Sequence, residues 1–126
     1  MATKIKVKRI NTDYCSKTVQ EAYSNKEYKD AILDFLNRDP IERYVAKSSE
    51  DINVFGYTNM ATFIGYIVDF NEDLTEFTVC ILNDDYVDSV KNRTLGFSGI
   101  GSNTDKKYKI ISAFFTDKKE EQNGTN

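Results

Sequence analysis

The residue types in this chain restrict its chemistry before any fold is considered. The 126 residues include no histidine and only two cysteines, Cys15 and Cys80. Histidine is the usual general base near neutral pH and the commonest metal ligand in proteins. Hydrolytic sites built on Ser-His-Asp or Cys-His are therefore excluded, as are zinc sites that need histidine or four cysteines.

A glycine-rich stretch, Gly96-Phe-Ser-Gly99-Ile-Gly101, has the composition of a phosphate-binding loop but not its spacing. It matches neither the dinucleotide fingerprint nor the Walker pattern. The residues that follow it predict a strand, whereas a phosphate loop opens a helix whose N-terminus holds the phosphate. We therefore interpret these glycines as bulges or corners of a bent sheet.

The oxygen-bearing side chains of a calcium loop occur in alternation at Asp69, Asn71, Asp73 and Glu76. The rest of that motif is missing, because Leu74 replaces the required glycine and Cys80 stands at the twelfth position. A polar hairpin turn is the simpler interpretation, and a cation held between Asp69 and Glu76 stays an alternative. Acids are plentiful elsewhere, but no spacing singles out a catalytic pair. We expect no enzyme activity, no cofactor and no metal.

The charge distribution is the feature that points toward a function. Residues 48–90 contain nine acidic residues and no basic ones, whereas the segments before and after carry a net charge of +3 each. An acidic surface repels nucleic-acid phosphates and attracts basic partners. An aromatic side chain among the acids could anchor such a partner. The predicted partner-binding residues are Asp69, Glu72, Asp73, Glu76, Asp84, Asp85, Tyr86 and Asp88.

These features favour a non-enzymatic protein-binding module. Its most concrete form is a small phage-type inhibitor or adaptor that engages a basic protein, such as a nucleic-acid-binding protein of host defence. The acids would then imitate nucleic acid, an analogy that rests on size and charge alone. Direct binding of nucleic acid is not expected, because the basic stripe at Lys4, Lys6, Lys8 and Arg9 is short and lacks interleaved aromatic residues.

Three other interpretations are compatible with the sequence. The chain could be a structural phage or mobile-element component that forms homo-oligomers through exposed strand edges. It could also bind a small molecule, which would require a pocket that sequence does not reveal. Finally, the acidic residues could serve only to keep the protein soluble.

One helix and a series of strands would position these residues. Ser24 and Glu27 have the spacing of a capping box, and apolar residues then recur at i, i+3, i+4, i+7 and i+8 until Pro40 ends the run. The alternation from Lys4 to Lys8 predicts an edge strand with solvent-facing lysines. The predicted fold is α+β: a bent antiparallel β-sheet or small barrel with one main amphipathic helix, about residues 24–38, packed on it.

A register can be predicted for the hairpin that contains the acidic turn. A turn centred on Glu72-Asp73 places three apolar pairs on one face, which we expect to pack against Ile32 and Phe35 of the helix. The same register sets Asp69 opposite Glu76, where two like charges meet. The apolar pairs are Val68 with Phe77, Tyr66 with Val79, and Ile64 with Ile81.

The chain is long enough for one hydrophobic core, since a domain of this size buries about two thirds of its unfolded surface. We expect a single α+β domain over residues 1–117 and a disordered tail over residues 118–126, which contain no apolar side chain. No apolar run approaches the roughly 20 residues that span a bilayer, and no signal core is present. We therefore expect a cytoplasmic protein with no membrane partner and with reduced cysteines.

Overall fold

The strands of this protein close into a barrel. The computed structural model describes residues 3–14, 17–51, 63–101 and 108–116. The strands are β1 (Thr3–Arg9), β2 (Tyr44–Ala46), β3 (Phe63–Phe70), β4 (Glu76–Ile81), β5 (Thr94–Gly101) and β6 (Tyr108–Thr116). The helices are α1 (Lys17–Ser24), α2 (Lys26–Leu36) and α3 (Val87–Val90), with short 3₁₀ turns at Thr12–Tyr14, Pro40–Glu42, Ser49–Asp51 and Asp84–Tyr86.

The order of strands around the barrel is β1-β4-β3-β2-β6-β5, after which β5 returns to β1. Four of the neighbouring pairs are antiparallel, but β1 pairs with β5 and β2 with β6 in parallel. The predicted α+β class and small barrel are confirmed. The expectation of a purely antiparallel sheet is wrong, and so is the expectation that β1 is an edge, because closure gives β1 a partner on each side.

Short helices, rather than one main helix, accompany the barrel. The predicted helix over residues 24–38 is wrong at its start, because Ser24 ends α1 and the extended residue Asn25 separates α1 from α2. The Asn25 side chain accepts a hydrogen bond of 2.7 Å from the N–H of Glu27, so asparagine caps α2 in place of the predicted Ser24. Within α2 the apolar spacing holds, and the buried residues are Tyr28, Ile32, Phe35 and Leu36.

Helix α2 reaches the core through Phe35. The rings of Phe35 and Phe97 meet edge to face with centroids 6.1 Å apart, and Phe97 meets Phe77 in the same way at 5.4 Å. All three side chains are buried, and Phe35 is completely inaccessible to solvent. Edge-to-face contact is a preferred arrangement of aromatic rings and adds to the benefit of burial. This line of rings joins α2, β5 and β4 into one core.

The register of the β3–β4 hairpin differs from the predicted one by two residues next to the turn and by one residue beyond Val68. Ile67 lies opposite Val79, and an irregularity between Ile67 and Asp69 inserts one extra residue, Val68, into β3. Ile67 is therefore buried in place of Tyr66 and Val68, which are half-buried. The other predicted core residues of this hairpin are buried, namely Ile64, Phe77, Val79 and Ile81.

The turn explains why the predicted register fails. Asn71 donates its backbone N–H to the carbonyl of Glu76, so four residues, and not two, form the loop between them. Its side-chain oxygen accepts hydrogen bonds from the N–H groups of Thr75 and Glu76, at 2.9 and 3.0 Å. Leu74 adopts a left-handed conformation with φ of 58° and is buried. A left-handed leucine is unfavourable by itself, so tertiary burial, which sequence patterns do not reveal, stabilises this turn.

The glycine-rich stretch forms part of β5, and the register of β5 against β6 shifts between Ser98 and Gly99. The interpretation of this stretch as a bulged strand is therefore confirmed. Cys80 is buried as a free thiol. Cys15 and the predicted tail at residues 118–126 lie outside the described residues.

Candidate functional site

The first group of predicted site residues surrounds the β3–β4 turn. Asp69, Glu72 and Asp73 are exposed, and Glu76 is half-buried. The register places Asp69 opposite Thr78, and Glu76 opposite Lys8 of β1. The predicted opposition of Asp69 and Glu76 is therefore wrong, because the four-residue loop brings Asn71, and not Asp69, into hydrogen-bonding contact with Glu76. In the described part of the chain, no three carboxylates or thiols cluster where they could hold a metal ion.

The second group lies within the connection from β4 to β5. We call the segment that contains it the acidic loop (Asp84–Asp88). Asp84, Asp85 and Asp88 are exposed. The loop begins as a 3₁₀ turn whose cap is Asn83, and the Asn83 side chain accepts a hydrogen bond of 2.9 Å from the N–H of Asp85. Carboxylates at the start of a helical turn interact favourably with its free N–H groups. The sequence pattern of asparagine followed by two aspartates thus accounts for the local structure.

Two side-chain hydrogen bonds also hold the acidic loop in place. The hydroxyl of Thr3 donates a hydrogen bond of 2.7 Å to a carboxylate oxygen of Asp84, which joins the start of β1 to the loop. The hydroxyl of Ser89 donates to the carbonyl of Tyr86 at 2.9 Å. These bonds give the loop a defined backbone, so its carboxylates project from a preorganised segment.

Tyr86 is the aromatic residue of the acidic loop, and part of its side chain is buried within the protein. It is half-buried and packs against the hydrophobic core. The ammonium group of Lys47 lies 5.6 Å from the ring centroid, within the range of a cation–π interaction. The predicted aromatic anchor is therefore partly engaged within the protein, and only the remainder of its surface is available to a partner.

The structure divides the predicted site residues into two groups instead of bringing them onto one continuous face. The β3–β4 turn precedes Glu76, and the acidic loop follows Ile81, so the groups lie at opposite ends of β4. A strand of that length spans roughly 17 Å. The turn group contains Asp69, Glu72, Asp73 and Glu76, and the loop group contains Asp84, Asp85, Tyr86 and Asp88.

Strand β1 lies between the acidic hairpin and β5 and carries the opposite charge. Lys4, Lys6 and Lys8 are exposed, and they lie opposite Cys80, Thr78 and Glu76 of β4. The separation of charge along the sequence is therefore not a separation in space. Because this arrangement depends on which strands are neighbours, the local sequence pattern carried no signal for it.

A groove with a volume of about 550 Å³ opens beside β1, and we call it the basic groove. Its walls are the second half of β1 with the residues that follow, and the segment that leads into β5. Within the part of the chain that the structure describes, five basic residues and no acidic residue line it. The basic residues are Lys6, Lys8, Arg9, Lys91 and Arg93.

The two arginines of the basic groove are held by contacts with the fold. Arg9 donates to the carbonyl of Leu74 at 3.4 Å, and its guanidinium lies 5.3 Å from the centroid of the Tyr23 ring. Arg93 donates to the carbonyl of Lys47 at 3.2 Å. The sequence predicted a basic stripe in β1 but did not indicate that Lys91 and Arg93 would join this stripe. The parallel pairing of β1 with β5 brings the two groups together.

Comparison with known proteins returned no resemblance. No family model, no curated protein and no solved structure matches this chain. Among the described helices, none has both the length and the apolar character required to cross a membrane.

Proposed function

We propose that this protein is a non-enzymatic binding module that docks on a basic protein surface through the acidic loop. The observation that carries the proposal is the geometry of that loop, in which exposed carboxylates flank the half-buried ring of Tyr86 on a hydrogen-bonded backbone. A preorganised loop loses less conformational freedom on binding than a flexible one. Charged groups at the rim of an interface increase the association rate and the specificity.

The acids of the β3–β4 turn fit this proposal as a second point of contact. A standard protein–protein interface covers about 800 Å² on each partner, which corresponds to a patch roughly 30 Å across. The strand β4 separates the two acidic groups by roughly 17 Å, so one partner could cover both. The exposed lysines of β1 lie beside this footprint, and they would restrict the orientations in which a basic partner can dock.

The narrower form of the proposal is a phage-type inhibitor or adaptor whose partner is a nucleic-acid-binding protein of host defence. The acidic loop would then occupy part of a groove that otherwise holds phosphate groups. Its support is the charge and small size of the protein, together with the exposed carboxylates of Asp84 and Asp85 on a helical turn.

The experiment compares two triple charge reversals after the partner has been captured from a lysate of the native host at low salt. The first variant, D84K/D85K/D88K, changes the acidic loop. The control, E21K/D39K/E42K, makes the same change in net charge at exposed residues outside both acidic groups. We expect the first variant to weaken partner binding by several kcal/mol and the control to have a much smaller effect. Binding isotherms at two salt concentrations should show that added salt weakens the wild-type interaction.

A thermal melt of each variant establishes that it is folded, which is expected because exposed loop charges seldom alter stability by more than about 0.5 kcal/mol each. Unchanged affinity in a folded D84K/D85K/D88K variant would assign the acidic loop to solubility alone. Light scattering would then test the alternative that the chain assembles with copies of itself.

A further inference from the structure

We propose that the basic groove binds a small ligand that carries several phosphate groups. The groove uses residues different from those of the acidic loop, so this inference stands apart from the proposed function. Its first support is an excess of one charge: Lys6, Lys8, Arg9, Lys91 and Arg93 line a single concave surface on a protein whose net charge is −3. Like charges gathered in a cleft raise the local concentration of counter-ions of the opposite sign.

The positive charges of the groove are not neutralised within the described part of the chain. The ion pairs there join Lys26 to Asp30 and Arg38 to Asp34, and both lie on or next to α2. Glu76 lies opposite Lys8 across the β1–β4 ladder, but it is neither within ion-pair distance of Lys8 nor part of the groove wall. An anion bound in the groove would therefore meet cations that are not already engaged with carboxylates.

Arg9, one of the five cations, has a further feature. Its Nε atom is buried and has no hydrogen-bond partner in the described structure, a property shared by the Nε atom of Arg43, which does not line the groove. A buried donor on a charged group is costly to leave unsatisfied. The contacts with Leu74 and Tyr23 hold the guanidinium at the wall of the groove, where a phosphate oxygen is a favourable acceptor for its donors.

The size and the lining of the groove indicate which kind of anion would fit. Its volume of about 550 Å³ lies within the range of small-molecule sites. The remaining lining residues include side chains whose hydroxyl and amide groups can donate to phosphate oxygens, at Thr12, Thr75 and Asn92. Among the described residues, no aromatic side chain lines it, so this part of the chain offers no stacking platform for nucleobases. These features favour a compact polyphosphate group over single-stranded nucleic acid, which relies on such stacking.

The test is a calorimetric titration of the full chain with inorganic tripolyphosphate at low salt. The variant K8Q/K91Q removes two exposed charges from opposite walls of the groove, and the control K17Q/K29Q removes two exposed charges from the helices. We expect wild-type protein to bind tripolyphosphate, K8Q/K91Q to bind about tenfold more weakly or worse, and K17Q/K29Q to stay within about twofold of wild type. Circular dichroism shows that both variants are folded.

Two further titrations separate the sources of the phosphate chemistry. Orthophosphate should bind much more weakly than tripolyphosphate, because it engages fewer of the five cations. A nucleoside triphosphate should bind about as well as tripolyphosphate, because no aromatic side chain among the described lining residues is available to stack on the base. The proposal is overturned if wild-type protein shows no binding of tripolyphosphate, or if the two double variants lose equal affinity. It is also overturned if a long single-stranded oligonucleotide binds far more tightly than tripolyphosphate in a groove-dependent manner, since nucleic acid would then be the ligand.

Discussion

The hydroxyl of Tyr28 donates a hydrogen bond of 3.1 Å to the backbone carbonyl of Phe97. The N–H of Phe97 in turn donates to the hydroxyl of Tyr23 at 2.9 Å. Strand β1 pairs with β5 only as far as Leu95, so in the described structure the two tyrosines take the place of a neighbouring strand at Phe97. Helices α1 and α2 are thereby bonded to the barrel wall where the ladder between β1 and β5 ends.

Removing the Tyr28 hydroxyl tests this relationship. We expect Tyr28→Phe to lower the free energy of unfolding by about 1–2 kcal/mol, because it leaves a buried carbonyl without that donor. Urea denaturation monitored by circular dichroism measures the change. Tyr86→Phe is the matched control: its ring remains near Lys47, and no hydrogen bond of its hydroxyl occurs in the described structure, so we expect a change below about 0.5 kcal/mol. Equal losses in both variants would contradict the assignment.

Phe35 should be among the most sensitive positions in α2. Truncation by Phe35→Ala removes a fully buried ring that contacts Phe97, and we expect it to cost about 3–5 kcal/mol. The control is Leu33→Ala on the same helix, where the side chain is 37% exposed and a loss of about 1 kcal/mol or less is expected. Comparable melting temperatures for the two variants would show that α2 does not pack as described.

Gly65 marks a place where two strands approach too closely for any side chain. A Cβ atom at this position would collide with the backbone carbonyl oxygen of Cys80 on β4. We expect Gly65→Ala to destabilise the protein by more than about 2 kcal/mol, because a backbone atom must move. At Gly96 the added Cβ would meet the ring of Phe114, a side chain that can rotate. Thermal melts should therefore rank Gly96→Ala as the milder change, and the reverse order would be inconsistent with this packing.

The side chain of Asn71 should be necessary for the β3–β4 turn. It accepts two backbone hydrogen bonds and donates one, at 2.9 Å, to the hydroxyl of Thr75. We expect Asn71→Ala to cost about 1–2 kcal/mol in a urea titration, a moderate loss because the turn is exposed to water. Glu72→Ala, at the exposed neighbouring position, should change stability by less than about 0.5 kcal/mol. A silent Asn71→Ala would mean that burial of Leu74 alone determines the turn.

The features that could be predicted from the sequence are those that depend on short-range patterns. Period-two alternation identified β1, and the apolar spacing from Tyr28 to Leu36 identified the buried face of α2. The glycines of β5 indicated a bulge, and the register shift at Ser98 confirms it. In each case the signal lies within about ten residues, the range over which helical and strand periodicity is expressed.

The hairpin shows where local pattern ceases to be sufficient. The four-residue turn with its left-handed Leu74 shifts the pairing by two residues from the predicted register. The extra residue Val68 then reduces the shift to one, which buries Ile67 in place of Tyr66. Leucine carries no preference for that conformation, so its burial against the rest of the core decides the turn. The consequence extends to the candidate site, because the four-residue turn sets Asp69 opposite Thr78 and away from Glu76.

Composition and charge order along the chain determined the excluded chemistries and identified the acidic loop, because these depend only on which residues are present. The tertiary structure decided which charges are neighbours. The antiparallel pairing of β1 with β4 places Lys8 beside Glu76, and the parallel pairing of β1 with β5 joins Arg9 to Lys91 and Arg93 in one groove. Pairings between segments so far apart in the chain are selected by closure of the barrel around a shared core, which is a property of all six strands together.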